Sequence, residues 1–270
     1  MNSAFKQRLY ERHKLSGPIP SPQKTSEWVE QLLGILFPEM SDEEFPLFGD
    51  LDSAIFRNQL LLEDLMKPAE SYIPNGIKFC CNGFYEKIPQ VYEMLLLDAE
   101  AITQGDPAAT NKTEVLRTYP GFYAIAVYRI AHIFYTFNIP LLPRILTEYA
   151  HSKTGIDIHP AAQIGEKFCI DHGSGVVIGG TTIIGNEVKM YQGVTLGALS
   201  VKKEFAKVKR HPTIEDNVII YSGATILGGT TVIGKDSIIG GNVWLTKSVP
   251  SNSRIYYKGN ISQHNSVLNS

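Results

Sequence analysis

From Ile158 onward, aliphatic residues return at every sixth position. Stepping by six from Ile158 meets Ile164, Ile170, Val176, Thr182, Val188 and Val194. The step restarts at Ile214 and meets Ile220, Ile226, Val232, Ile238 and Trp244, so eleven of these thirteen positions are Ile or Val. Chance would supply about four. Six residues are too few for a helix pair or a propeller blade, and they fit one short strand plus a turn. Three such sides close a triangular coil of about 18 residues, and coils stacked about 4.8 Å apart complete the backbone hydrogen bonds. The stepped residues are then expected to point inward, where stiff β-branched side chains pack in ladders. Gly165, Gly185, Gly228, Gly234 and Gly240 suit the corners. The twenty residues from Val194 to Ile214 are out of phase with six, so a loop must leave the coil at about 198–212. The period predicts a parallel β-helix.

Before Gly155 the period is that of helices. Ser26 is placed to cap a helix carrying Val29, Leu32, Leu33 and Leu36, with Pro38 ending it. Ser53 is placed to cap a second, with Ile55, Phe56, Leu60 and Leu62 before Pro68. A third runs from about Pro89 through Val91, Met94, Leu95 and Ala99, and a fourth from Pro120 through Phe122, Ile125, Ile130 and Phe134. A fifth covers 141–152, closed by Thr154-Gly155. The stretch from Pro68 to Pro89, with Cys80-Cys81, has no assignable period. The expected class is α+β: an N-terminal all-helical domain over 1–152, hexapeptide-repeat β-helix over 153–250, and a tail over 251–270.

Composition narrows the chemistry. The 270 residues carry a formal net charge of −2, with no strongly basic face to suggest a nucleic-acid binder. Charged residues are 19 %, below the roughly 25 % of an average soluble chain, which points to buried subunit surface. Cys80, Cys81 and Cys169 make no disulfide framework, and no apolar run of about 18 residues is present. A cytoplasmic protein with no membrane span is expected. The loop after Val194 sets Lys202, Lys203, Lys207, Lys209 and Arg210 against Glu204 alone. It is either a solvated basic loop or a holder of an anionic substrate.

Three histidines, His159, His172 and His211, lie in the coil with Asp157 and Asp171 close by in sequence. A histidine near pKa 6.5 is a natural general base for an alcohol, and a carboxylate can orient its ring. Three histidines could also hold zinc, and a solenoid could be a scaffold without catalysis. The segments Gly105-Asp-Pro-Ala-Ala109, Tyr119-Pro-Gly-Phe to His132, Asp157-Ile-His-Pro-Ala-Ala162, Ile170-Asp-His-Gly-Ser-Gly175, Val194-Thr-Leu-Gly197 and Lys209-Arg-His-Pro212 decide between these. In that order, behind a helical half, they resemble the serine acetyltransferases among the hexapeptide-repeat acyltransferases. The resemblance runs from about Asp98 to Val249.

The resemblance implies a left-handed coil and transfer of acetyl from acetyl-CoA to the hydroxyl of L-serine in a ternary complex. It implies His172 as base and Asp157 as its carboxylate partner. Asp106 and Asp171 would face the ammonium of serine, and Arg210 and His211 its carboxylate. Gly197, Ala198, Ser222, Gly223, Gly240 and Gly241 would line the acetyl-CoA groove. Ala198 stands where the family commonly has a second glycine. Acetyl-CoA would be a co-substrate, with no tightly bound cofactor and no metal. The family forms homotrimers or dimers of trimers, with active sites between subunits. Many members end in an isoleucine that engages cysteine synthase; Val267-Leu-Asn-Ser270 does not support that partnership. The nearest rival is the same chemistry on homoserine or a sugar. Asp106, Arg210 and His211 favour a small zwitterion over a sugar.

Overall fold

The structure is a computed structural model that describes residues 1–15, 19–199 and 208–259. Among the described residues seven α-helices come first: α1 (Ser3–Leu15), α2 (Pro22–Leu36), α3 (Phe48–Met66), α4 (Ile77–Gly105), α5 (Lys112–Thr118), α6 (Pro120–Thr136) and α7 (Leu142–Thr154). The helix expected from Ser26 begins earlier, because Ser21 caps it by accepting from the Lys24 amide at 3.3 Å, and Ser26 lies inside the first turns. Likewise α3 starts at Phe48, with Asp50 accepting from the Leu47 amide, and Ser53 is interior. Its buried stripe is Ala54, Asn58, Leu62, Leu65 and Met66, while Phe56 and Leu60 are exposed. The unassigned stretch becomes a 3-10 turn over Lys67–Tyr72 and the first half of α4, which runs through Pro89. Trp28, Phe84 and Phe134 centre the helical core, the last two rings stacked 4.4 Å apart. Among the described residues, no helix is long and apolar enough to cross a membrane.

Strands follow, three to a turn. β1 (Asp157–Ile158), β2 (Gln163–Ile164) and β3 (Cys169–Ile170) make the first coil; β4 (Val177–Ile178), β5 (Ile183–Ile184) and β6 (Lys189–Met190) make the second. β7 (Thr195–Gly197), β8 (Thr213–Ile214) and β9 (Ile219–Ile220) make the third, interrupted by the loop whose residues 200–207 lie outside the described set. β10 (Thr225–Leu227), β11 (Val232–Ile233) and β12 (Ile238–Ile239) follow, then β13 (Trp244–Leu245) and β14 (Arg254–Ile255). All ladders are parallel and form three faces: β1-β4-β7-β10-β13, β2-β5-β8-β11, and β3-β6-β9-β12-β14. This is a left-handed parallel β-helix.

The coils are not uniform, and that corrects the sequence reading. Asp157 pairs with Val177, a turn of 20 residues, because the corner after β3 holds two extra ones. The inward ladder therefore passes from Ile158 to Ile178 and Leu196, and Val176 and Val194 are buried at the corner instead. A second slip follows Ile226: the turn at Gly228-Gly229 holds one extra residue, so Ile233 and Ile239 face inward. Val232 and Ile238 face outward, and Trp244, expected in the core, is 67 % exposed. Each inward Ile or Leu is worth about 1.5–3 kcal/mol of burial, enough to hold this register.

Buried polar contacts fix the helices to the coil. Arg129 grips Asp98 with two hydrogen bonds, at 2.6 and 2.9 Å, and donates to the carbonyls of Ile164 and Gly165. Asp98 also accepts from the Phe168 amide at 2.9 Å. At Gly121 the start of α6 lies directly on the coil: a Cβ there would meet the Ile170 carbonyl oxygen at 2.1 Å. Only glycine permits that approach, and it brings Tyr119 to the end of β3.

Candidate active site

The corner after the third face gathers one group of residues. After β3 the chain turns through Asp171 and His172, whose φ of 57° is left-handed, a region histidine tolerates better than bulkier residues. The Asp171 side chain is buried, whereas that of His172 is 71 % exposed, with Nε2 3.7 Å from Asp171 Oδ1. Asp106 caps the C-terminus of α4. Its Oδ1 accepts from the Ala108 amide at 2.8 Å and its Oδ2 from the Tyr119 hydroxyl at 2.7 Å. The Ala108 amide and the Tyr119 phenol, with Lys189 and His172 nearby, hold the Asp106 carboxyl below the usual aspartate range. The Tyr119 phenol is pushed up to about 12, chiefly by its bond to Asp106. Lys189 Nζ lies 3.3 Å from Asp171 Oδ2. Burial pushes the Cys169 thiol up to about 12, so it is no nucleophile at neutral pH. Farther along the same corner, Gly223 stacks on Gly193, and Gly241 lies against the Ser222 carbonyl. Gly240 sits beneath Tyr256.

The corner after the first face gathers another group. His211 is buried, and its Nδ1 accepts from the Thr181 amide at 3.0 Å and contacts the Thr181 hydroxyl at 2.8 Å. The same hydroxyl oxygen accepts from the amides of Arg210 and His211, at 2.9 and 3.0 Å. Lys209 Nζ donates to the carbonyls of Thr181, His211 and Pro212 and so staples the end of the loop to the coil. Burial, and then Arg210, Lys209 and His159, push the His211 imidazole down to about 4, so it is neutral at pH 7. A Cβ on Gly179 would strike the His211 ring at 2.1 Å, so glycine is required beneath it. Gly197 ends β7 at this corner, with Ala198 next in the chain.

Among the described residues, no hydrogen bond or ion pair joins the two groups. Asp106, Asp171, His172, Ser222, Gly223, Gly240 and Gly241 belong to the third-face corner; Gly197, Ala198, Arg210 and His211 belong to the first-face corner. His159 is also at the first-face corner, its Nδ1 accepting from Ala161 at 3.1 Å, so the three histidines do not converge within one chain. Asp157 lies within 3.5 Å of Arg144 Nη1 and makes no hydrogen bond to His172. Glu148, His151 and Asp157 bring their ligand atoms within 4.8 Å of one another, but Arg144 already pairs with both carboxylates. Of the basic loop, Lys202, Lys203, Glu204 and Lys207 lie outside the described residues. The sequence did not single out Lys189, Tyr119, Thr181 or Arg144. Each acts through a partner distant in the chain, and only the Tyr119-Pro-Gly segment carried any signal.

No family model matches the chain. A serine acetyltransferase of Synechococcus elongatus, named as plasmid-borne, is 42 % identical over 261 residues, spanning 88 % of this chain and 82 % of its own. Serine acetyltransferase isoform 3 of Entamoeba histolytica, solved with cysteine, superposes with a TM-score of 0.79 at 35 % identity, covering 88 % of this chain and 83 % of that one. The Neisseria gonorrhoeae serine acetyltransferase, solved with serine, gives a TM-score of 0.60 at 31 % identity, covering 67 % of this chain and 73 % of its own.

Proposed function

The chain belongs to the serine acetyltransferase family, and from that premise we propose that it transfers the acetyl group of acetyl-CoA to the hydroxyl of L-serine by direct attack in a ternary complex. His172 takes the hydroxyl proton as the serine oxygen attacks the thioester carbonyl. The tetrahedral oxyanion collapses, the C–S bond breaks, and CoA leaves as a thiolate that takes up a proton. The products are O-acetyl-L-serine, an activated serine for cysteine synthesis, and CoA. The scheme asks for no cofactor beyond acetyl-CoA as co-substrate.

One observation carries this reading: an exposed imidazole stands beside two carboxylates, Asp171 within 3.7 Å and Asp106 held ionised by Tyr119 and Ala108. A serine whose ammonium lies between those carboxylates presents its hydroxyl, on the carbon next to the ammonium-bearing one, to the imidazole. A zwitterion also needs donors for its carboxylate. Arg210 and the neutral His211 supply these from the other corner, and an Arg binds a carboxylate through two parallel hydrogen bonds. The acceptor site is thus completed where the first-face corner of one copy meets the third-face corner of the next, in a homotrimer. Acetyl-CoA lies in the same groove, along Ser222, Gly223, Gly240 and Gly241 of one copy and Gly197 and Ala198 of its neighbour. Asp157 orients His172, which requires it to leave Arg144. The helical half, with Phe56 and Leu60 exposed on α3, pairs trimers.

The test is thiol release from acetyl-CoA by the purified protein with L-serine, L-homoserine or amino sugars as acceptors. Release with L-serine is expected. Release only with another acceptor would overturn the assignment of Asp106 and Arg210, and none with any acceptor would overturn the activity.

A further inference from the structure

Lys189 belongs to β6 on the outward side of the third face, directly above Cys169 in the ladder. Such a lysine normally runs its stem over the surface and keeps its ammonium in water. Here the side chain is only 14 % exposed and bends back toward the helical half. Its Nζ donates to the Gly105 carbonyl at 2.5 Å, lies 3.3 Å from Asp171 Oδ2, and sits 4.6 Å above the Tyr191 ring. Burial alone would depress this ammonium, yet Tyr191, Cys169 and Asp171 hold it above the ordinary lysine value.

The two carboxylates differ in what supports them. Asp106 has its own donors in Ala108 and Tyr119. The Asp171 side chain is buried, and Lys189 and the exposed imidazole of His172 are its ion-pair partners among the described residues. A buried carboxylate is costly unless it is paired, so the contact with Lys189 offsets the burial of Asp171. The groups around Asp171 are Asp106 and Tyr119 from the helical half, Cys169 from β3, His172 at its own corner, and Lys189 with Tyr191 from the coil above.

We infer that Lys189 is a positioning residue for the amino-acid acceptor: it pairs with Asp171 and, through the Gly105 carbonyl, pins Asp106 at a fixed spacing from it. This inference rests on the reading of Asp106 and Asp171 as the ammonium site. With Lys189 the empty site carries one net negative charge from these three groups, which the entering ammonium neutralises. Without Lys189, Asp171 loses its lysine partner and the end of α4 loses its tie to the coil.

The experiment compares Lys189→Met, Lys189→Arg, Asp106→Asn and Asp171→Asn in the full chain by steady-state kinetics from pH 5.5 to 9, with melting temperatures. Lys189→Met is expected to raise the serine KM by about tenfold or more, the worth of an ionic hydrogen-bond partner. The acetyl-CoA KM should stay within about twofold, and Lys189→Arg should recover most of the loss. An unchanged or lowered serine KM in Lys189→Met, with Asp106→Asn and Asp171→Asn impaired, overturns the role of Lys189 alone. Unchanged serine KM values in both Asn variants overturn the ammonium site itself. Equal rises in both KM values with a lower melting temperature, unrescued by arginine, reduce Lys189 to a structural contact and also overturn the inference.

Discussion

The two corners that carry the candidate residues are built in opposite ways. The third-face corner is open and anionic: His172 projects into solvent at positive φ, and Asp106 and Asp171 flank it. The first-face corner is closed and cationic: His211 is buried and locked by Thr181, Lys209 is tied to three carbonyls, and Arg210 lies between them in sequence. A base that exchanges protons with a substrate must be reachable, whereas donors that anchor a carboxylate work best when already fixed before binding. Under the proposed reading neither corner alone neutralises a zwitterion, so the acceptor site would be shared between copies.

The largest break in that comparison comes from the open corner. His172→Ala should cut kcat by two to four orders of magnitude, the usual worth of a general base; a rate within about threefold of the parent would remove it from the chemistry. Arg210→Ala should instead raise the serine KM and leave the acetyl-CoA KM alone. Mixing the two variants before assembly sharpens the point. If the corners meet between copies, about a quarter of the sites in an equal mixture carry both native residues, because each corner is drawn independently. Activity at limiting serine should then exceed the sum of the separate variants, and no gain would place both residues in one chain's site.

A smaller effect tests the rigidity of the closed corner. Lys209→Met removes the staple to three carbonyls without touching Arg210 or His211, and should raise the serine KM about three- to tenfold with kcat little changed. An unchanged serine KM would show that Thr181 alone holds the segment. The smallest effect is on stability. His211 titrates at about 4 in the folded chain, against about 6.5 when unfolded. Between those values the unfolded state binds the extra proton, so the contribution of His211 is complete above about pH 6.5 and is lost as pH falls toward 4. His211→Gln should therefore show a shallower loss of melting temperature across that window than the parent; parallel curves would mean that His211 is not buried as a neutral ring.

The sequence could be read as far as its local periods reach. The six-residue step announced the coil because one strand and its corner is a local unit, and the helices over 120–136 and 142–154 showed their stripes for the same reason. The starts of α2 and α3 were misplaced because Ser26 and Ser53 look like caps, while Ser21 and Asp50 do the work. The step also failed at two corners, after Ile170 and after Ile226. The two residues inserted after Ile170 and the one inserted after Ile226 are invisible to a fixed period, and the single insertion turns every following side chain to the other face. That is how Trp244, counted as core, comes to lie on the surface.

The site shows the same boundary. Its motifs name Asp106, His172, Arg210 and His211, since each sits in a short segment with its neighbours. The division of those residues between two corners depends on how many residues each coil consumes, and so on which side chains the core accepts. Gly105, Asp171 and Lys189 meet only because α4 packs against the third face and Gly121 lets α6 approach the end of β3. By itself, then, the sequence determined the helical half, the coil and the residue types fit for an acyl transfer, because those follow from spacing along the chain. The tertiary structure alone decided which of them share a corner and what lies against Asp171, because those follow from distances across the fold.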